Sequence, residues 1–178
     1  FPLADLAGGA AGATGWAIAP DGSTVVGVSS GRFHPNYPAE GLYEASRWTF
    51  AGEVQGLGYI GAAPAGDSRA FDVSLRGLVI VGESSTPLAT GHAFRWDATS
   101  GIEDLGSLQS DASGSAVAYA VSGDGQVVVG SSASAIGFQG FRWTREEGMV
   151  GLGPGSTAHD VSHNGAVVVG RSNGQAAL

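Results

Sequence analysis

The sequence predicts an all-β protein, a β-propeller of about four blades, each blade a four-stranded repeat. Three observations predict it. An eleven-residue phrase returns four times, as Ala17–Gly27, Asp72–Gly82, Ala120–Gly130 and Asp160–Gly170, each ending in an apolar run closed by glycine. Trp48, Trp96 and Trp143 lie 48 and 47 residues apart, and Leu57, Leu105 and Leu152 each follow their tryptophan by nine. No stretch carries a 3.6-residue apolar period with helix caps. A unit of this length with this pattern is what propellers use as blades. The competing arrangement is a stack of meanders in an open superhelix.

The segment Pro2-Leu3-Ala4-Asp5-Leu6-Ala7 matches the last strand of a preceding blade, residues 1–8, with Leu6 in the place of Leu105. Repeat one then spans 15–60, repeat two 69–108, repeat three 117–154 and a partial repeat four 157–178. The third copy shows the plan best. Ala118 to Ser122 is strand a. Gly123-Asp124-Gly125 is a tight turn, where glycine supplies positive φ. Gln126 to Ser131 is strand b, and its Val127-Val128-Val129 run suits burial on both faces. Gly140 to Thr144 is strand c, with Phe141 and Trp143 on one face and Arg142 on the other. Met149 to Gly153 is strand d, after the turn Arg145-Glu146-Glu147-Gly148. The recurring tryptophans are expected between blades, and Arg47, Arg95 and Arg142 beside them as structural, with Arg95 facing Asp104 across the c–d hairpin.

Two arrangements of the ends follow. In one, Ala176-Ala177-Leu178 is a shortened strand c, and the N-terminal strand d completes the same blade to close a four-bladed ring. In the other, the chain is a segment of a larger propeller, since a fourth tryptophan falls due beyond Leu178.

Composition suits one domain of short, tightly joined strands. Of 178 residues 31 are Gly, and charged residues are only 13%. The net charge of −8 argues against nucleic-acid and anionic-membrane partners, which need a basic face. No apolar run reaches a membrane-spanning length, so membrane insertion is not expected. The absence of Cys excludes disulfides and thiolate metal sites. The chain begins at Phe1, so a signal peptide is expected to have been removed.

The Ala-x-x-Val-Ser-x-Asp-Gly-x-Val-Val-Val-Gly phrase is combined with Gly91-His92-Ala93-Phe94-Arg95-Trp96 and then Gly101-Ile102-Glu103-Asp104-Leu105-Gly106. That combination resembles the HAF repeat family, named for the His-Ala-Phe triplet, over nearly the whole chain. Copy one departs from it with Ala45-Ser46-Arg47-Trp48, and copy three with Gly140-Phe141. The resemblance implies an exported or cell-surface bacterial repeat protein, sometimes an autotransporter passenger, with no catalytic residues to carry over. The Ser-x-Asp-Gly hairpin is also similar, more weakly, to WD-type blades.

Strand order places the a–b and c–d turns on one side and the b–c and d–a loops on the other. The second set varies, and the longest b–c loop lies in copy one. Variable loops on a rigid frame are where binding sits. Arg32, Phe33, His34, Tyr37 and Tyr43 are therefore the candidate recognition surface, for a glycan, a small molecule or a protein. Strand a is innermost in a propeller, which makes Trp16, Phe71, Asp72, Tyr119, His159 and Asp160 candidate channel-lining residues. Asp72 and Asp160 fall in alternate units and offer oxygens suited to a polar ligand or to Ca2+; Asp hydrogen-bonding to nearby backbone is the plainer role. No other cofactor is expected.

Three motif matches carry less. Gly27-Val28-Ser29-Ser30-Gly31 and Gly170-Arg171-Ser172-Asn173-Gly174 fit Gly-x-Ser-x-Gly but end a strand with no helix to follow. Gly56-Leu57-Gly58-Tyr59-Ile60-Gly61 fits a dinucleotide fingerprint without its helix. His159 and His163 lie on a strand and its turn, a poor zinc pair. The expected function is a non-enzymatic repeat protein displaying its loops for adhesion or ligand binding. One alternative is a propeller hydrolase or lyase drawing on His34, Glu40, Asp67 and Arg69. The other is a structural array that self-associates through its blade edges.

Overall fold

The computed structural model describes residues 3–7, 12–30, 43–61, 66–86, 91–109 and 113–178. Fifteen strands and one 3-10 turn account for their regular structure. Sheet one holds β1 (Ala13–Ile18), β2 (Thr24–Ser30), β3 (Tyr43–Thr49) and β4 (Val54–Gly56). Sheet two holds β5 (Ser68–Val73), β6 (Val79–Ser84), β7 (His92–Asp97) and β8 (Gly101–Gly106). Sheet three holds β9 (Ala116–Val121), β10 (Val128–Ser134), β11 (Gly137–Thr144) and β12 (Gly148–Pro154). Sheet four has three strands, β13 (Ser156–Val161), β14 (Val168–Ser172) and β15 (Gln175–Ala177). Each is an antiparallel meander in chain order, as the repeat predicts. The 3-10 turn, Leu75–Gly77, replaces the a–b turn in copy two, which lacks the Asp-Gly pair.

The sheets stack face to face around three apolar junctions. Ala19, Val26 and Leu57 of sheet one meet Val73, Ile80, Phe94 and Trp96 of sheet two. Val79, Val81 and Leu105 meet Val121, Val128, Phe141 and Trp143. Ala120, Val127 and Val129 meet Ala158, Val161 and Val168. One rule covers them: the first and third residues of each β-branched run face the next sheet, and the second faces the previous one. This is why the run is continuous and not alternating. Trp96 and Trp143 stand between sheets as expected, and Trp96 also carries the Arg47 guanidinium of sheet one 4.8 Å above its ring.

The polar side of each junction recurs as well. Leu6, Ile60 and Leu108 each donate a backbone N–H, at 2.9 Å, to Ser29, Ser84 and Ser132 at one repeat position. This corrects the expected alignment of the N-terminal segment. Leu6 is the counterpart of Ile60 and Leu108, so Leu3, three residues earlier, holds the place of Leu57 and Leu105. The segment lies against sheet one, where the Trp48 indole donates to the Ala4 carbonyl at 2.7 Å. It does not complete sheet four, which has no fourth strand among the described residues.

Of the two arrangements expected for the ends, four-bladed closure is not seen: among the described residues the sheets form an open arc. Ile18 is 60% exposed on sheet one, whereas its counterparts Val73, Val121 and Val161 are buried. Val167 and Val169 are exposed on sheet four, whereas Val79, Val81, Val127 and Val129 are buried. A closed four-membered ring buries all of these.

Candidate functional site

The closing glycine of the repeated phrase builds the inner edge of the arc. Gly27, Gly82, Gly130 and Gly170 each stand opposite an irregularity in strand a. There the pairing skips one residue: Trp16, Phe71, Tyr119 or His159. A β-carbon on these glycines would lie 1.8–2.0 Å from the carbonyl oxygen of Thr14, Arg69, Val117 or Thr157. Only glycine admits so close a backbone. The extra residue of such a bulge leaves the ladder, and its side chain is re-aimed.

The four re-aimed rings stand in file. Trp16 stacks on Phe71 with centroids 5.2 Å apart and planes 18° apart. Phe71 meets Tyr119 at 6.3 Å, and Tyr119 meets His159 at 5.9 Å. The spacing is the favourable range for aromatic contact. Phe71 and Tyr119 are half-buried, while Trp16 and His159 are exposed at the two ends. Burial pushes the Tyr119 phenol up from its ordinary value, with Glu83 adding to the effect.

Asp72 and Asp160 do different work from each other. Asp72 accepts the Val121 N–H at 2.8 Å and so ties strand a of sheet two to strand a of sheet three. Burial pushes its carboxyl up, the Val121 and Val73 N–H groups pull it back, and Asp160 adds a smaller push. Asp160 is exposed and accepts the N–H of its own neighbour Val161 at 2.8 Å. No group of three or more His, Asp or Glu side chains that could hold a metal ion occurs among the described residues.

Of the loop candidates, Arg32, Phe33, His34 and Tyr37 lie outside the described residues, as does Glu40. Tyr43 opens β3, 44% exposed, with its backbone N–H held by Asp67 at 3.0 Å. Asp67 and Glu83 both clamp Arg69, at 2.9 and 2.8 Å. Ser29, the centre of one Gly-x-Ser-x-Gly match, is fully buried, and its hydroxyl serves the Leu6 N–H.

Arg95 does not face Asp104. The turn 98–100 sets the hairpin register so that Arg95 stands opposite Glu103, 3.9 Å away, with Asp97 at 2.6 Å. Asp97 is held down to about 2 by the Ser100 N–H and by Arg95. Asp104 instead stands opposite Phe94 and reaches the buried His92 ring, 3.0 Å from Nδ1. Sequence reasoning missed this pair, although the repeat contains its signal. Glu44 and Gln139 hold the place of His92, and Gly56 and Gly151, paired with Ser46 and Phe141, hold the place of Asp104. The Glu44 carboxylate occupies the space of a Gly56 side chain and accepts the Gly58 N–H at 3.0 Å. In sheet two Asp104 fills that space itself and accepts the equivalent Gly106 N–H at 2.8 Å. One backbone donor is thus served from strand c in one blade and from strand d in the next.

No protein-family model and no curated protein matches this chain. Among solved structures it is similar to TolB from Acinetobacter baumannii, a β-propeller protein, at 15% sequence identity and a TM-score of 0.58. The likeness covers 89% of this chain and 38% of the TolB chain, so this chain spans less than half of TolB's length. At that identity it carries the fold: propeller-type blades in sequence, here as an open arc.

Proposed function

We propose that this chain is a non-enzymatic, exported or cell-surface repeat protein that binds a ligand along its aromatic inner edge and the adjoining b–c and d–a loops. The observation that carries the reading is the file of bulged rings from Trp16 to His159. Each blade gives up a regular strand a to place one flat side chain there, and the ring type varies while the bulge does not. A row of partly exposed aromatic faces suits a ligand with flat apolar faces and polar edges, above all a glycan. Tyr43 and the loop residues Arg32, Phe33, His34 and Tyr37 are proposed to extend this surface with polar contacts. Asp67 and Arg69, raw material for a hydrolase, are spent on each other and on Glu83. The exported location rests on the resemblance to HAF repeats, and the likeness to TolB adds a shared fold to it.

A glycan and small-molecule screen on the 178-residue chain tests the reading, followed by Trp16→Ala and Tyr119→Ala. A ligand that quenches Trp16 fluorescence and binds about tenfold more weakly to either variant is expected. Binding that survives both substitutions, in variants that melt like the parent, removes the inner edge as the site.

A further inference from the structure

Three of the four a–b turns carry a side-chain oxygen that folds back into the turn: Asp21 in sheet one, Asp124 in sheet three and Asn164 in sheet four. That oxygen accepts the N–H two residues on, from Ser23 at 3.0 Å, Gln126 at 2.9 Å and Ala166 at 3.2 Å. In sheets three and four it also accepts the hydroxyl of the serine two residues back, Ser122 at 2.6 Å and Ser162 at 2.8 Å. Sheet two has Arg76 at this position, so the charge is reversed.

The frame around Arg76 is nevertheless kept. Ser74 N–H donates to the Val79 carbonyl at 2.8 Å, Gly77 N–H to the Ser74 carbonyl at 3.1 Å, and Val79 N–H to Ser74 Oγ at 2.9 Å. The three counterparts in sheet three are 2.9, 2.9 and 3.0 Å. Gly77 also keeps the positive φ of Gly22, Gly125 and Gly165. Ser74 Oγ thus accepts where Ser122 Oγ accepts, and its proton faces the space that the Asp124 carboxylate fills in sheet three.

Ser74 is 2% exposed. Neither its hydroxyl proton nor the Leu78 N–H beyond the 3-10 turn meets an acceptor among the described residues. A buried donor without an acceptor is costly, and an ionised acceptor is the strongest remedy. Arg76 is exposed and forms no salt bridge among the described residues. Its field reaches Asp21, but that carboxylate is held within its own turn by the Ser23 hydroxyl and N–H. With a net charge of −8 the chain as a whole repels anions, and this turn is a local exception.

The same corner is apolar. Leu78 is 65% exposed, where the other turns have Ser23, Gln126 and Ala166. Phe50 is 92% exposed on the c–d turn of sheet one, where the other sheets have Ala98 and Arg145. The two turns adjoin: a β-carbon on Gly77 would meet the Thr24 side chain at 2.2 Å, and Thr24 pairs with Thr49, the residue before Phe50.

We propose that this turn binds a carboxylate carried on an apolar group, with the Ser74 hydroxyl, the Leu78 N–H and the Arg76 guanidinium as donors and Leu78 and Phe50 as the apolar flank. The ligand supplies in trans the carboxylate that Asp124 supplies from within its own blade. The site lies on the side of the sheets opposite the b–c and d–a loops, apart from the surface proposed above.

Titrating the 178-residue chain with phenylacetate, acetate and phenylacetamide, followed by 15N–1H NMR, tests this. Phenylacetate is expected to shift the Leu78 amide saturably and to bind about tenfold more tightly than acetate. Phenylacetamide, the same shape without the charge, is expected to leave that amide unmoved. Arg76→Asp restores the carboxylate of the other turns, and Asp tolerates the Arg76 φ of 65° better than arginine does. This variant is expected to melt at or above the parent temperature and to bind phenylacetate at least about tenfold more weakly. Arg76→Gln, which removes only the charge at an exposed position, is expected to weaken binding in the same direction. Leu78→Ser, the residue of sheet one, is expected to bring phenylacetate close to acetate. An N-acetylated dipeptide acid ending in phenylalanine separates the sources: binding tighter than phenylacetate assigns the site to a peptide end, and weaker binding assigns it to a free acid. A Leu78 amide that phenylacetate does not move up to about 50 mM overturns the proposal. So does an equal response to phenylacetamide, and so does binding that both Arg76 variants leave intact.

Discussion

Sheets two and four carry the same phrase and have opposite surroundings. In sheet two Val81 is fully buried, Phe94 is fully buried and Asp72 holds a neighbouring strand. In sheet four Val169 is 39% exposed, Ala177 stands opposite Gly170 where Phe94 stands opposite Gly82, and Asp160 serves its own neighbour. Yet Gly82 and Gly170 face the same crowding, from the Arg69 carbonyl in one and the Thr157 carbonyl in the other. The comparison separates two kinds of repeat residue. The glycine answers to its own sheet, so it works alike in every copy. The valines and the aspartate answer to the next sheet, so their worth depends on whether one is there.

The largest expected effect lies where the two sheets agree. Gly82→Ala and Gly170→Ala each force a β-carbon into a backbone carbonyl, and each is expected to cost about 2–4 kcal/mol in denaturant unfolding. A tolerated Gly170→Ala would show that the bulge is not a shared requirement. Next comes the difference between faces. Val81→Ala removes buried methyl groups and is expected to cost about 2 kcal/mol. Val169→Ala, at an exposed position, is expected to stay within about 0.5 kcal/mol of the parent. Equal losses at both positions would mean that the arc is closed in solution.

The aspartates give a smaller contrast. Asp72→Ala leaves the Val121 N–H without its acceptor, at an expected cost of about 1–3 kcal/mol, whereas the Val161 N–H exposed by Asp160→Ala can reach water. The smallest effect is the dependence on pH. The folded Asp72 carboxyl is raised by burial, so the folded chain holds this proton more tightly than the unfolded one. Its favourable contribution is full below the ordinary carboxylate range and is lost as pH rises through the raised value. Asp72→Asn keeps an oxygen for Val121 and removes the charge. Its melting temperature is expected to match or exceed the wild type at neutral pH and to lose that advantage in acid. An advantage that persists in acid would assign it to packing and not to charge.

Much of this was legible in the residues themselves. Val127-Val128-Val129 announced a strand buried on both faces, and the spacing of Trp48, Trp96 and Trp143 announced blades with aromatic junctions. The aromatic positions of strand a were legible too, but not why they share an edge. A bulge leaves no residue type of its own behind: Trp16, Phe71, Tyr119 and His159 share only their distance from the phrase. Its trace was the glycine opposite, which reads equally well as a strand end. The Arg95 partner was missed because hairpin register depends on turn geometry, and a one-residue error moves every pair. The His92–Asp104 pair was missed because its meaning lies in the comparison with Glu44 over Gly56, which requires knowing that the two side chains claim one space.

The sequence by itself determined the blade. Local pattern, turn glycines and a β-branched run dictate a four-stranded meander, because side-chain alternation and positive φ are properties of a few neighbouring residues. Tertiary structure alone decided how the blades relate. It placed Leu3 and not Leu6 in the strand-d position, kept the arc open at Ile18 and Val169, and lined up four rings on one edge. Those outcomes depend on contacts between residues some fifty positions apart, where identical phrases meet or fail to meet a neighbour.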